Sequence, residues 1–253
     1  MVGEELLRVE DVWKSYGPVV ALRGVNMVVR RGEVVALLGD NGAGKSTLIK
    51  IISGYLKPDR GQLIFEGKPV RFNSPLDAKR LGIEVVHQDL AVILDLPVYR
   101  NIFLTHEITK HGVLQDKIMM EESKKALSVL KIPMPEVTVK AEALSGGQRQ
   151  ATAVARATYF VKKLLLMDEP SAGLGVVESK RVLAIAKQYA KEHNVGVIFV
   201  TPNIFQAYDV ADRIYYMEQG KIIFEKRKEE TTVEELTDTI TKRILSLRRR
   251  DKL

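Results

Sequence analysis

The sequence predicts an α/β fold: a mixed, mainly parallel core sheet with helices, preceded by an antiparallel β-subdomain and interrupted by a helical insertion. Three observations predict it. The apolar runs Val34 to Leu38, Ile83 to His87, Leu164 to Asp168 and Val197 to Thr201 read as buried parallel strands, each tied to a stretch of helical periodicity. The opening third is instead built of short β-rich segments, Leu6 to Asp11, Val20 to Asn26 and Gln62 to Phe65, punctuated by Gly17, Gly32 and Gly61. From about Asp95 to Tyr159 the strand–helix alternation stops, and Met120 to Leu130 places Ala126, Leu127 and Leu130 at helical spacing.

After Asp212 the pattern returns to strand, with Arg213 to Glu218 and Lys221 to Glu225 joined across Gln219-Gly220. The last segment, about 231–253, opens on Thr232-Val-Glu-Glu235, a capping-box pattern, and reads as a helix to about Leu247 with a basic tail. The whole of 1–253 reads as one domain, with about 95–160 as its helical subdomain; no internal repeat is visible.

An apolar content of 45% over 253 residues is ample for a continuous core. No apolar stretch approaches the roughly 20 residues of a membrane helix, and Met1-Val2-Gly3-Glu4-Glu5 is too acidic for a signal peptide, so a cytoplasmic protein is expected. With no cysteine, any metal must be held by carboxylates, hydroxyls and amides, which suits a hard ion such as magnesium. The net charge is +7, yet basic residues cluster only at Lys226-Arg227-Lys228 and Arg248-Arg249-Arg250, and aromatics are 6%, so no nucleic-acid platform is expected. The terminal arginines read as a solvated tail or as a contact to lipid headgroups.

Gly39-Asp40-Asn41-Gly42-Ala43-Gly44-Lys45-Ser46-Thr47 follows the first apolar strand and opens a helical stretch. That is the pattern of a phosphate loop: backbone N–H groups of residues 41 to 46 surround α- and β-phosphates, Lys45 reaches the β- and γ-phosphates, and the Ser46 hydroxyl ligates Mg2+. Thr47 either adds a hydroxyl to the α-phosphate or faces the helix interior. Asp168 ends another apolar strand with Glu169 and Pro170 beyond it, so two carboxylates emerge at the carboxyl edge of the sheet, where ligands bind in this architecture. Asp168 is expected to hold magnesium and Glu169 to act as general base on the water that attacks the γ-phosphate.

A second glycine pair, Gly146-Gly147 after Ser145 and before Gln148, either offers another anion nest at a helix start or is an ordinary cap with Ser145 as N-cap. One nucleotide does not need two cradles. The reading that uses both is a head-to-tail dimer, in which each chain lends its second cradle to the ATP of its partner.

Leu144-Ser-Gly-Gly-Gln-Arg-Gln150, with the phosphate loop and the Asp168-Glu169 strand, resembles the signature of the ATP-binding cassette (ABC) ATPases, and the resemblance covers nearly the whole chain. It implies a P-loop NTPase cassette that binds and hydrolyses Mg-ATP. It further implies that Tyr16 stacks on adenine, that Gln88 touches magnesium or the attacking water, and that Ser145, Gly146, Gly147 and Gln148 contact nucleotide. Within the family, Gly67 to Pro75, Val86 to Leu90, Asn101 to Leu104 and Glu169 to Gly175 are similar to the carbohydrate-uptake branch. The partners so implied are a second cassette subunit, identical or different, transmembrane permease subunits, and an extracellular solute-binding protein, with the chain on the cytoplasmic face of the membrane. A soluble non-transport cassette protein and a regulatory cassette with little hydrolysis are the alternative readings.

One position departs from the family pattern. In Val197-Ile-Phe-Val-Thr-Pro-Asn203, Pro202 stands where the resemblance implies a histidine that contacts the γ-phosphate. Proline has no side-chain donor and no N–H. Either the site hydrolyses slowly, or Glu169 suffices and the position tolerates change.

Overall fold

The protein is described here by a computed structural model covering residues 3–87, 90–170 and 175–250. An antiparallel sheet begins with a hairpin of two 12-residue strands, β1 (Glu5–Tyr16) and β2 (Val19–Arg30), and is completed by β4 (Arg60–Phe65) and β5 (Lys68–Val70) in the order β2-β1-β4-β5. The hairpin is longer than the expected Leu6 to Asp11 and Val20 to Asn26. Asp11, which reads as a strand end, sits at φ 44 inside a register shift between Val9 and Val12, after which pairing resumes to Tyr16. Gly61 crosses that bulge so closely that a Cβ would strike the Asp11 carbonyl.

The core sheet has six strands in the order β12-β11-β3-β10-β9-β6. They are β3 (Val34–Leu38), β6 (Ile83–Val86), β9 (Leu164–Asp168), β10 (Gly196–Thr201), β11 (Arg213–Glu218) and β12 (Lys221–Arg227). All neighbours are parallel except β11 and β12, an antiparallel pair joined by Gln219 (φ 45) and Gly220 (φ 81). Two left-handed residues match the twist of the flanking strands, which is why Gln219-Gly220 reads as a hairpin turn. Every residue of β3, β9 and β10 is buried, because this sheet is covered on both faces. Val34, Ala36 and Leu38 join one apolar cluster with the helices that follow, whereas Val35 and Leu37 join another with β1, β2 and the first helix.

Helices follow the strands: α1 (Lys45–Ile52), α2 (Pro75–Arg80), α6 (Val176–His193) and α7 (Ile204–Val210). Between α2 and β9 lie α3 (Val98–Ile102), α4 (Asp116–Val129) and α5 (Gly146–Phe160), packed on one another through buried Leu127, Leu130 and Phe103. This stretch also holds a small hairpin that helical periodicity does not foresee, β7 (Thr109–Lys110) and β8 (Val113–Leu114) around His111 (φ 51) and Gly112 (φ 79). Strands of two residues carry no period. The last helix, α8 (Val233–Arg250), is capped as expected: the Glu235 N–H donates to Thr232 Oγ1 and the Thr232 N–H to Glu235 Oε2, each at 3.2 Å. The side chains of the Arg248-Arg249-Arg250 tail lie outside the described residues.

Candidate nucleotide site

Leu38 ends β3, and the chain loops through Gly39 to Gly44 before α1 starts at Lys45. Gly42 and Gly44 take φ values of 83° and 104°, closed to residues with a Cβ, and a Cβ on Gly44 would stand 2.5 Å from the Ala21 carbonyl oxygen. Strand β2 therefore runs directly over the loop. Lys45 is 4% exposed and donates from Nζ to the carbonyls of Gly39 and Asp40, both at 2.8 Å. Burial pulls its ammonium pKa down, while the Glu169, Asp168 and Asp40 carboxylates oppose the shift.

Because β10 alone separates β3 from β9, the carboxylates at the end of β9 stand close to the loop. The Ser46 hydroxyl donates to Asp168 Oδ1 at 3.3 Å. Asp168 is 7% exposed, and burial raises its carboxyl pKa against the opposing Ser46 hydrogen bond and the Lys45 and Lys50 charges. Glu169 adopts φ 48, its N–H donates to the Val200 carbonyl at 3.1 Å, and its side chain lines a cavity of about 540 Å³. A left-handed glutamate is costly, and here successive carboxylates lie in different surroundings, one sunk beside Ser46 and one on the cavity wall. Asn41, Gly42, Gly44, Lys45, Ser46 and Thr47 line the same cavity. Thr47 thus borders the cavity.

The helix start after Leu144 is built differently. Ser145 caps α5, accepting at Oγ from the Gln148 N–H at 3.3 Å, while Gln148 Oε1 accepts from the Ser145 N–H at 2.9 Å. Gln148 Nε2 also donates to the Pro133 carbonyl at 3.0 Å, so that amide is committed to holding the helix start. Ser145 and Gly146 are exposed, and a Cβ on Gly146 would meet open space. These residues do not line the chain's own cavity. One turn on, buried Gln150 donates from Nε2 to the Pro170 carbonyl at 2.6 Å, tying this helix to the residue after Glu169.

Comparison with known proteins decides what family this geometry serves. Residues 22–172 match the family model described as ABC transporter. The chain belongs to the ABC transporter family. The cassette is 62% identical over 237 residues to the xylose/arabinose import ATP-binding protein XylG of Sulfolobus acidocaldarius, covering 94% of each chain. It is 41% identical to the fructose import ATP-binding protein FrcA of Rhizobium meliloti, over 87% of this chain and 88% of that one. Among solved structures it resembles a nucleotide-free ATP-binding cassette from an ABC transporter, with TM-score 0.79, 28% identity and coverage of 94% and 96%. It also resembles the dimeric post-hydrolysis cassette MJ0796 bound to ADP and Pi, with TM-score 0.78, 25% identity and coverage of 88% and 99%. The resemblance drawn from the phosphate loop and the Leu144 to Gln150 stretch holds, as does its placement near the carbohydrate-uptake branch.

Tyr16 ends β1 opposite Val19 and is 46% exposed; Val19 lines the cavity and Tyr16 does not. Gln88 lies outside the described residues, as do positions 171–174 of the Glu169 to Gly175 stretch. Pro202 is exposed just beyond Thr201, two residues from the Val200 carbonyl that holds Glu169. Asn203 after it caps α7, accepting at Oδ1 from the N–H groups of Phe205 and Gln206 at 3.0 and 3.1 Å. His106 and His193 pack against aromatic rings, Phe160 at 4.1 Å and Tyr189 at 4.2 Å between centroids.

Sequence reasoning missed the opposite wall: Val19, Val20, Ala21, Arg23, Gln219 and Gly220. They belong to the hairpin and to the β11–β12 turn, which no motif links to the loop. Their sequence signals are those of a strand segment whose one buried residue is Leu22, and of the Gln219-Gly220 turn, and neither points to the phosphate loop.

Proposed function

We propose that this chain is the ATP-hydrolysing subunit of a monosaccharide importer and works as one of a head-to-tail pair of cassettes. The carrying observation is the split in its phosphate-binding parts: a complete loop around Lys45 on one cavity, and a separate donor set, Ser145 and Gly146, that faces solvent. XylG and FrcA, matched over nearly their whole length, support sugar uptake.

In this reading Lys45 leaves the Gly39 and Asp40 carbonyls for the β- and γ-phosphates, and the loop N–H groups of residues 41 to 46 take the α- and β-oxygens. Tyr16 stacks on adenine. Ser46 and Asp168, two hard oxygen donors already in contact, fit Mg2+, with Gln88 as the third group; the ion would offset charge on the phosphate oxygens. Glu169 takes the proton of the attacking water. Ser145, Gly146 and Gly147 of the partner subunit, at an α5 start held by Gln148, donate to the same nucleotide from across the interface.

Closure passes to the permeases through the helical segment of about 95–160, by way of the Gln150 to Pro170 contact. Among the described residues no helix is long and apolar enough to cross a membrane. In the proposal separate permease subunits cross it, an extracellular binding protein delivers the sugar, this chain docks on the cytoplasmic face, and nucleic acid has no part. The test is Glu169→Gln with Mg-ATP: a stable dimer in light scattering without turnover is expected. A monomer, or hydrolysis at the wild-type rate, overturns the reading.

Pro202 favours a second reading. A site without a donor at this position binds ATP but turns it over slowly, so that a different cassette subunit supplies the fast site.

A further inference from the structure

We infer that Arg23 is a second phosphate-binding cation of the nucleotide site, held in place by the β11–β12 turn; this rests on the ATP-binding reading of the cavity. Arg23 lies in β2 opposite Trp13 and lines the cavity together with Lys45 and Ser46. Leu22 beside it is fully buried, whereas Ala21 and Arg23 on either side are not and both line the cavity.

Two glycines make this approach possible. A Cβ on Gly44 would lie 2.5 Å from the Ala21 carbonyl oxygen and one on Gly220 would lie 2.7 Å from it, so β2 is wedged between loop and turn. The backbone is fastened at both contacts: the Gly220 N–H donates to the Ala43 carbonyl at 2.9 Å, and the Arg23 N–H donates to the Gly220 carbonyl at 2.8 Å. The path from Ala43 to Arg23 is therefore two hydrogen bonds through a single residue. It fixes the base of the Arg23 side chain against the loop that holds the phosphates.

The guanidinium itself is free. Arg23 is exposed, and among the described residues its side chain makes no ion pair or hydrogen bond, unlike Arg8, Arg31, Arg100, Arg156 and Arg213. An unpaired guanidinium beside a cavity shaped for a polyanion has its natural acceptor in phosphate oxygens, which it can take two at a time. Lys45 works from inside the loop as a buried charge, and Arg23 works from the solvent side as a screened one. Its contribution thus depends on ionic strength.

Titration calorimetry of Mg-ATP and Mg-ADP on the full chain tests this, with Arg23→Gln, Arg23→Lys and Lys45→Ala measured beside wild type. Arg23→Gln is expected to weaken both nucleotides about fivefold to tenfold and to flatten the rise of Kd with salt. Arg23→Lys keeps the charge but not the two-pronged contact, so it is expected to restore the salt dependence and only part of the affinity, while the melting temperature of the nucleotide-free protein stays at the wild-type value for both. A Kd for Arg23→Gln within twofold of wild type, or a salt dependence equal to it, overturns the inference. Wild-type affinity in Lys45→Ala would instead remove the reading of the cavity as an ATP site.

Discussion

Ser46 Oγ and Asp168 Oδ1 stand 3.3 Å apart, joining the first turn of α1 to the last residue of β9 across 122 positions of sequence. Burial raises the Asp168 pKa in the folded chain above its ordinary 3.8, so without nucleotide the folded state binds this proton more tightly than the unfolded one. Stability contributed by the protonated form is complete only below the ordinary 3.8 of the unfolded chain and is lost as pH rises through the raised folded value. Asp168→Asn should therefore melt a few degrees above wild type at pH 7 without nucleotide, converge with it near pH 4, and lose magnesium-dependent turnover. Equal melting at both pH values would show that burial does not burden this carboxylate.

Gly44 at φ 104, against the Ala21 carbonyl, leaves no room for a methyl group. Gly44→Ala should cost about 2 kcal/mol or more in urea unfolding and abolish ATP binding. Unchanged stability would mean that β2 can move off the loop.

Ser145 carries two tasks that can be separated. Its loss as an N-cap should cost about 1 kcal/mol of stability in Ser145→Ala. In the Glu169→Gln background the same change should also remove the ATP-dependent dimer, as read by light scattering. If the dimer persists while only stability falls, Ser145 is a helix cap and nothing more.

Pro202→His restores a donor two residues beyond the carbonyl that holds Glu169. Turnover of the purified chain should rise by about 10²-fold with little change in nucleotide affinity, the size expected for a preorganised donor at the developing charge. No rise in kcat would show that Glu169 already suffices.

The amino-acid sequence determined the parts whose information is local. Glycines in Gly39 to Gly44 dictate a loop, all-apolar Val34 to Leu38 and Leu164 to Met167 dictate buried strands, and Thr232 with Glu235 dictates a helix start. Each rests on backbone conformation, burial or a hydrogen bond spanning a few residues, so the chain carries it without help. Tertiary structure alone decided that β10 separates β3 from β9 by a single strand, which brings Ser46 to Asp168, and that β2 passes over Gly44 and Gly220, which brings Arg23 to the same cavity. It also carried the first hairpin through the bulge at Asp11, where turn-like chemistry suggests an end. These contacts join residues far apart along the chain, and their geometry comes from packing two sheets and a helix around shared apolar clusters, a property that no local pattern encodes.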